Sequence, residues 1–275
     1  MKTVAHLSDL HFGRTDAAVV AGLLDDLHAE QPDLIIISGD FTQSARSREF
    51  RAAHRFLRRL PAPTLSVPGN HDVPPADLLL RFLAPFARYR HWISDDLCPF
   101  VETDEVAVLG INTARRARLG LNWAEGSISH AQIELVRRRF DGVDPAKLRI
   151  VVAHHPFVAP ASAPRTTVAR RADRALPIFA TAGIDLLLAG HLHRGWSVKA
   201  AAHIEHALLV VQAATATSTR LRDEPNSYNV LLLEKERIGV RVRAWHGDRF
   251  EAVGTAWFAR TSRGDNWIRS DFSGH

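Results

Sequence analysis

The chain has 275 residues, 46% hydrophobic and 24% charged, with a formal net charge of +5. That balance is ordinary for a globular protein with a sizeable core, and it excludes a fibrous or disordered chain. The one cysteine, Cys98, excludes an intrachain disulfide and thiolate metal clusters, and no apolar stretch is long enough to span a bilayer.

The first strand starts close to Met1, too close for a signal peptide, so a cytoplasmic setting is expected. The basic excess comes from arginine groups: Arg55, Arg58 and Arg59; Arg115, Arg116 and Arg118; Arg137 to Arg139; Arg170, Arg171 and Arg174. Solvated helix faces are the simpler expectation, and attraction of an anionic substrate the sharper one. No aromatics interleave with these arginines, so no specific nucleic-acid groove is expected.

In chain order, the run TVAHLSDLH reads as a buried strand ending at Asp9 and His11. Thr15 or Asp16 caps a helix that places Val19, Val20, Leu23, Leu24 and Leu27 on one face. DLIIISGD is a second strand, ending at Asp40; a helix over Ser47 to Leu60 turns Phe50, Ala53, Phe56, Leu57 and Leu60 inward. TLSVPGNHD then ends at Asn70, His71 and Asp72. This alternation of strand and helix predicts βαβ units and a largely parallel sheet.

Pro74 to Arg90 is expected to be helical with a break at Pro85. EVAVLGIN (residues 105–112) is another buried strand, followed by an Arg- and Gly-rich loop over 115–126. Ser129 and Gln132 form a capping box for a helix to Phe140. LRIVVAHHP ends at His154 and His155, a long loop covers 157–173, and DLLLAGHLH ends at His191 and His193. After His206 the runs alternate without helices, which predicts antiparallel strands to residue 260 that complete a second sheet. No linker is evident, so one domain is expected over 1–260 with a loose tail over 261–275.

Five strands therefore end on Asp, Asn or His. In open α/β sheets ligands gather beyond the carboxyl ends of strands, so these side chains can meet in one crevice. Oxygen and imidazole donors without thiolate suit divalent Mn, Fe, Zn or Co. A carboxylate has two oxygens and can bridge two ions, and a paired-ion site attracts a phosphate ester and acidifies bound water.

Taken together, Asp9-Leu10-His11, Gly39-Asp40, Gly69-Asn70-His71-Asp72, His154-His155-Pro156 and Gly190-His191-Leu192-His193 resemble the signature of the calcineurin-like metallophosphoesterases. All five blocks stand in the family's order, and the spacing looks most similar to bacterial class III cyclic-nucleotide phosphodiesterases. The resemblance implies an α/β fold: a two-sheet β-sandwich flanked by helices in four layers. It implies one metal held by Asp9, His11, Asp40 and His193, and a second held by Asp40, Asn70, His154 and His191. His71 would be no ligand but a catalytic group near the leaving oxygen, as general acid or cationic stabiliser, with a metal-bridging hydroxide as nucleophile. Many members carry Asp three residues after the bridging Asp, paired with the histidine of the GNH block. Here Gln43 stands in that place, which tilts the expectation toward diesters.

His155 is expected to pack or support rather than ligate, and Asp72 either orients His71 or caps a turn. Asn112, Arg115 and Arg194 are candidate substrate contacts, beside Thr113 and Arg116. The expected activity is hydrolysis of a small phosphodiester or nucleotide, cyclic nucleotides foremost, by a monomer or homodimer. The alternatives are a UDP-2,3-diacylglucosamine-type pyrophosphatase, a nuclease or a phosphomonoesterase of the same family. The pyrophosphatase would need an apolar groove, for which Phe82, Leu83, Phe86 and Trp92 are candidates, although packing into helix core is the simpler expectation. A degenerate scaffold that binds a partner protein would show missing ligands, and none is missing.

Overall fold

A computed structural model describes residues 1–116, 125–160, 164–192, 207–221, 224–261 and 266–270, together with the backbone of 202–205. The elements run Lys2–Leu7 (β1), Ala17–Glu30 (α1), Leu34–Ile37 (β2), Ser47–Leu57 (α2), Thr64–Ser66 (β3), Leu78–Leu83 (α3) and Ala87–Trp92 (α4). Next come Phe100–Glu102 (β4), Val106–Ile111 (β5), His130–Phe140 (α5), Leu148–Ala153 (β6), Ala172–Thr181 (α6) and Leu186–Ala189 (β7). The remaining strands are Ala202–Glu205 (β8), Leu208–Gln212 (β9), Ser227–Glu234 (β10), Arg237–Trp245 (β11), Phe250–Arg260 (β12) and Trp267–Ser270 (β13).

Two sheets form. One has the order β13-β12-β11-β10-β1-β2-β3 and the other β4-β5-β6-β7-β9-β8. Strands β1, β2 and β3 are parallel, as are β5, β6, β7 and β9. Period-two alternation along each strand decides the layers. Val4, Leu34, Ile36 and Leu65 face Val108, Ile150, Val152 and Leu188 in a core between the sheets. The neighbours Ala5, Leu7, Ile35 and Ile37 point outward onto Leu23, Leu27, Phe50 and Phe56 of α1 and α2. On the far side, Leu109, Val151 and Leu187 pack on Val136, Phe140 and Phe179 of α5 and α6. The result is helix, sheet, sheet, helix, the four-layer sandwich that the motifs implied.

Asp16 caps α1 by accepting from the Ala18 amide, and the Ser129–Gln132 capping box opens α5. Several expectations differ from the structure. The strands after residue 206 divide: β9 joins β8 in the second sheet, whereas β10 to β13 extend the first, with β10 antiparallel to β1. An antiparallel strand carries no sequence label for the edge it will join. Residues 267–270 are not loose: β13 pairs with β12, and Trp267 is fully buried in the core between the sheets. Residues 172–181 form a helix despite Pro177 inside it. The segment after Pro74 gives two six-residue helices, and its apolar residues separate: Phe86 and Trp92 pack into the core, while Phe82 and Leu83 face solvent. The loop over 117–124 lies outside the described residues.

Candidate metal centre

The carboxyl ends of β1, β2, β3, β6 and β7 all lead into the predicted ligand blocks. Their backbones leave the strands sharply. Asp9, His11, Asp40 and His191 hold φ of 53°, 49°, 56° and 74°, a left-handed region that costs an L-residue about 1–2 kcal/mol. Strain of this kind persists where neighbours over-determine it, and such places are commonly functional sites.

The glycines of the blocks explain the close approach. Gly39 has φ +94°, and a Cβ there would meet His154 Nδ1 at 2.6 Å. A Cβ on Gly69 would meet Asp40 Oδ1 at 2.0 Å. Only glycine lets these loops close on one another.

The buried carboxylates of Asp9 and Asp40 are each tied at one oxygen and directed inward at the other. Asp9 Oδ2 accepts from the Ser8 hydroxyl at 2.6 Å and the His191 amide at 2.8 Å, while Oδ1 lies 3.5 Å from His11 Nε2. Asp40 Oδ1 accepts from the His71 amide at 2.8 Å. Asp40 Oδ2, fully buried and without a hydrogen bond, stands 3.6 Å from His11 Nε2 and 3.4 Å from His154 Nε2. It lies between two imidazoles from different sheets.

His154 Nδ1 donates to the Ser38 carbonyl at 2.7 Å, which leaves the lone pair of the neutral ring on Nε2. That Nε2 faces Asn70 Oδ1 at 3.1 Å, His191 Nδ1 at 3.2 Å and Asp40 Oδ2 at 3.4 Å. Lone-pair atoms crowded this way repel unless a proton or a cation lies among them. Ligands about 2.1 Å from one ion stand roughly 3.0–3.4 Å apart, so the spacing and the donor set fit a divalent metal. Burial opposes charge on His154, yet the nearby Asp40 and Asp9 carboxylates and the bond to the Ser38 carbonyl lift its pKa to about 9. Burial likewise opposes charge on Asp40, but the His154, His71 and His11 imidazoles hold its carboxyl well below the usual range.

His71 groups with His11 and Asp40, whose ligand atoms lie close enough to hold an ion. Its Nδ1 donates to the main-chain carbonyl of Gln43 at 2.7 Å, and its ring meets His11 edge-on with centroids 4.8 Å apart. Asp72 does not contact that ring. Its oxygens accept from the amides of Gly69, Phe41 and Thr42 and from the Thr42 hydroxyl, which ties the loop after β3 to the loop after β2. Burial, then the Asp40 charge, pushes the Asp72 pKa up to about 7. Buried His155 bonds Thr113 Oγ1 through Nδ1 at 2.8 Å, and its ring lies 4.8 Å from that of His191. His154, His155 and His191 together form a further group with ligand atoms close enough to hold an ion.

Two candidate substrate contacts are bonded within the protein. Arg115 donates to Ser127 Oγ, to the carbonyls of Asn112 and Ala114, and to Gln132 Oε1, so its guanidinium braces the loop after β5 against α5. Asn112 Oδ1 accepts from the Ala114 amide in a local turn. His193 and Arg194 lie outside the described residues. Sequence reasoning also missed Thr215 and Thr217, whose hydroxyls donate to the carbonyls of Asp9 at 2.7 Å and Leu10 at 2.6 Å.

The family model for calcineurin-like phosphoesterase matches residues 2–195, a span that includes all five blocks. The chain belongs to the calcineurin-like phosphoesterases. Among curated relatives, this phosphoesterase is 37% identical over 81 residues to the glycerophosphodiester phosphodiesterase GpdQ of Enterobacter lignolyticus, covering 25% of this chain and 29% of that protein. It is 23% identical over 180 residues to the 3′,5′-cyclic adenosine monophosphate phosphodiesterase CpdA of Escherichia coli, covering 61% and 56%. The matches thus span less than two thirds of either relative. Of solved structures, purple acid phosphatase PPD1 from yellow lupin superposes with TM-score 0.67 at 10% identity over 99% of this chain and 57% of that one. A dimetal phosphatase from Danio rerio gives 0.61 at 12% identity, over 92% and 98%. These likenesses establish the sandwich, and family membership implies divalent metal at the cluster.

Proposed function

We propose that this phosphoesterase hydrolyses small phosphodiesters, cyclic nucleotides among them, at a two-metal centre. The observation that carries the reading is the position of Asp40 Oδ2 between His11 Nε2 at 3.6 Å and His154 Nε2 at 3.4 Å. One carboxylate oxygen facing two separate sets of imidazole and oxygen donors is what a shared ligand requires. On this reading Asp9, His11, Asp40 and His193 hold one ion, and Asp40, Asn70, His154 and His191 hold the other.

When bound, paired divalent ions supply Lewis-acid polarisation of the phosphoryl group and a water acidic enough to react near neutral pH. The chain's own residues do the rest. The Ser38 carbonyl fixes the tautomer of His154, and Ser8 with the His191 amide fixes Asp9. Gln43 holds the proton on His71 Nδ1, so Nε2 is the atom at which that ring takes up a proton and delivers it to the leaving oxygen. With only a neutral carbonyl behind it, His71 gains no carboxylate charge from position 43. That favours diesters, whose single ionised oxygen asks less of a cationic partner than a dianionic monoester does. The diesterase names of the matched relatives support the same direction.

Hydrolysis by the manganese-loaded chain tests this, with bis-p-nitrophenyl phosphate, p-nitrophenyl phosphate, 3′,5′-cyclic AMP and 2′,3′-cyclic AMP as substrates. Faster turnover of diesters than of the monoester is expected. Monoester turnover well ahead of every diester would overturn the reading.

A further inference from the structure

One helix of this fold is turned the wrong way round for a buried amphipathic element. On α3, Leu78, Leu79, Phe82 and Leu83 are 53%, 74%, 46% and 76% exposed. Arg81 of the same helix is 3% exposed and donates to the Pro74 carbonyl at 2.9 Å. Positions spaced i, i+1, i+4 and i+5 share one side of a helix, so four apolar side chains form a stripe aimed at solvent. Beyond it, Leu83, Pro85, Phe86, Arg90 and Leu97 line an open cleft of about 390 Å³. Folded chains normally bury leucine and expose arginine, and a continuous apolar stripe left outside marks an interaction surface.

Two exposed arginines border the stripe and its cleft, and further cations lie on the adjoining helices. Exposed Arg90 lies at the cleft, and exposed Arg116 donates to the Phe82 carbonyl at 3.1 Å. Helix α4 packs on α2, where the guanidinium of exposed Arg51 lies 5.6 Å from the Trp92 ring centre. Residues 44–98 hold nine arginines and five acids, and so carry most of the chain's net charge of +5. Asp77 is engaged, capping α3 and facing Arg88 at 3.4 Å, which leaves Asp95 and Asp96 as the exposed acids near Leu97.

Leucine and phenylalanine within a basic surround match an anionic lipid surface, where apolar side chains enter the acyl boundary and arginines meet headgroup phosphates. A second copy of the chain fits less well, because a two-fold contact would set this basic face against itself. We propose that α3, with Arg90 and Arg116, docks the protein on an anionic phospholipid membrane. The surface adjoins the ligand cluster: α3 starts six residues after Asp72, a reach of at most about 20 Å, so docking holds the metal centre near the headgroups. The proposal stands apart from the hydrolytic reading and does not need it.

Flotation of the full chain with vesicles of phosphatidylglycerol or of phosphatidylcholine tests the proposal. The wild-type chain is expected to float with phosphatidylglycerol and not with phosphatidylcholine, and to be released as salt rises. The double variant Leu79→Glu/Leu83→Glu is expected to bind phosphatidylglycerol vesicles at least about tenfold more weakly, with an unchanged melting temperature. Wild-type chain that ignores phosphatidylglycerol, or a double variant that binds it equally well, would overturn the proposal. So would a wild-type dimer in solution that the same substitutions dissociate, since that assigns the face to a second copy.

Discussion

His71 and Gln43 are joined through the main chain: the His71 Nδ1 proton is held by the Gln43 carbonyl oxygen at 2.7 Å. The position where many relatives place a carboxylate thus orients the ring without lending it negative charge. Gln43→Ala is expected to leave kcat for bis-p-nitrophenyl phosphate close to wild type, because the acceptor is not in the side chain. His71→Ala is expected to lower kcat by about 10²- to 10⁴-fold while bound metal is unchanged. Steady-state kinetics with elemental analysis checks both, and loss of metal from His71→Ala would reassign the residue as a ligand.

Asp72 ties the loop after β3 to the loop after β2. Asp72→Ala strips an acceptor from the Gly69, Phe41 and Thr42 amides, all buried between two active-site loops. Each buried donor left unmatched costs about 1–3 kcal/mol, so a total loss of about 3 kcal/mol or more is expected. Thermal unfolding would show this as a drop of roughly 6–12 °C. A change of only a degree or two would mean that water or another group replaces the carboxylate.

The strands and the Asp, Asn and His residues that follow them were legible because short runs, three to six residues long as strands, led into those residues, a local pattern. The Ser129–Gln132 box was legible for the same reason. What local pattern cannot supply is the destination of an element. The runs from Ser227 onward read as antiparallel strands, but nothing in them says that β10 pairs with β1 instead of joining the sheet of β9. Arg115 read as a phosphate contact because it follows a strand end, and only its partners Ser127 and Gln132, 12 and 17 residues away, reveal a brace. Phe82 and Leu83 read as core by composition, and their exposure comes from burial of Arg81 on the opposite side of α3. Gly69 read as part of a motif, and the structure adds its reason, which is contact with Asp40.

That contact makes Gly69→Ala informative. The added methyl would lie 2.0 Å from Asp40 Oδ1 and 2.4 Å from the Asp40 amide, so the Asp40 carboxylate must move. Folded protein with a large loss of bound metal and of activity is expected, read by circular dichroism and elemental analysis. Full metal occupancy in this variant would show that the site tolerates displacement of Asp40.

His6 sets an acid limit on the fold. It is fully buried beside Ser38, and burial, opposed by the Asp9 charge, lowers its pKa from 6.5 to about 3. Below pH 6.5 the unfolded chain takes up a proton that the folded chain refuses until about pH 3. The contribution of His6 is therefore complete above pH 6.5 and drains away as pH falls toward 3, by at most about 1.4 kcal/mol per pH unit. Urea midpoints at several pH values between 7.5 and 4.5 should fall less steeply for His6→Gln than for the wild type. Equal slopes would mean that other groups dominate the acid limb.

Elemental analysis of the wild-type chain and of Asp40→Asn, each dialysed after loading with manganese, bears most directly on the proposal that Asp40 is shared between two ions. Two ions per chain in the wild type are expected, with near-complete loss of both from the variant, since an amide cannot supply the charge that holds two cations together. One ion in the wild type, or a variant that keeps its full complement, would contradict a centre bridged by Asp40.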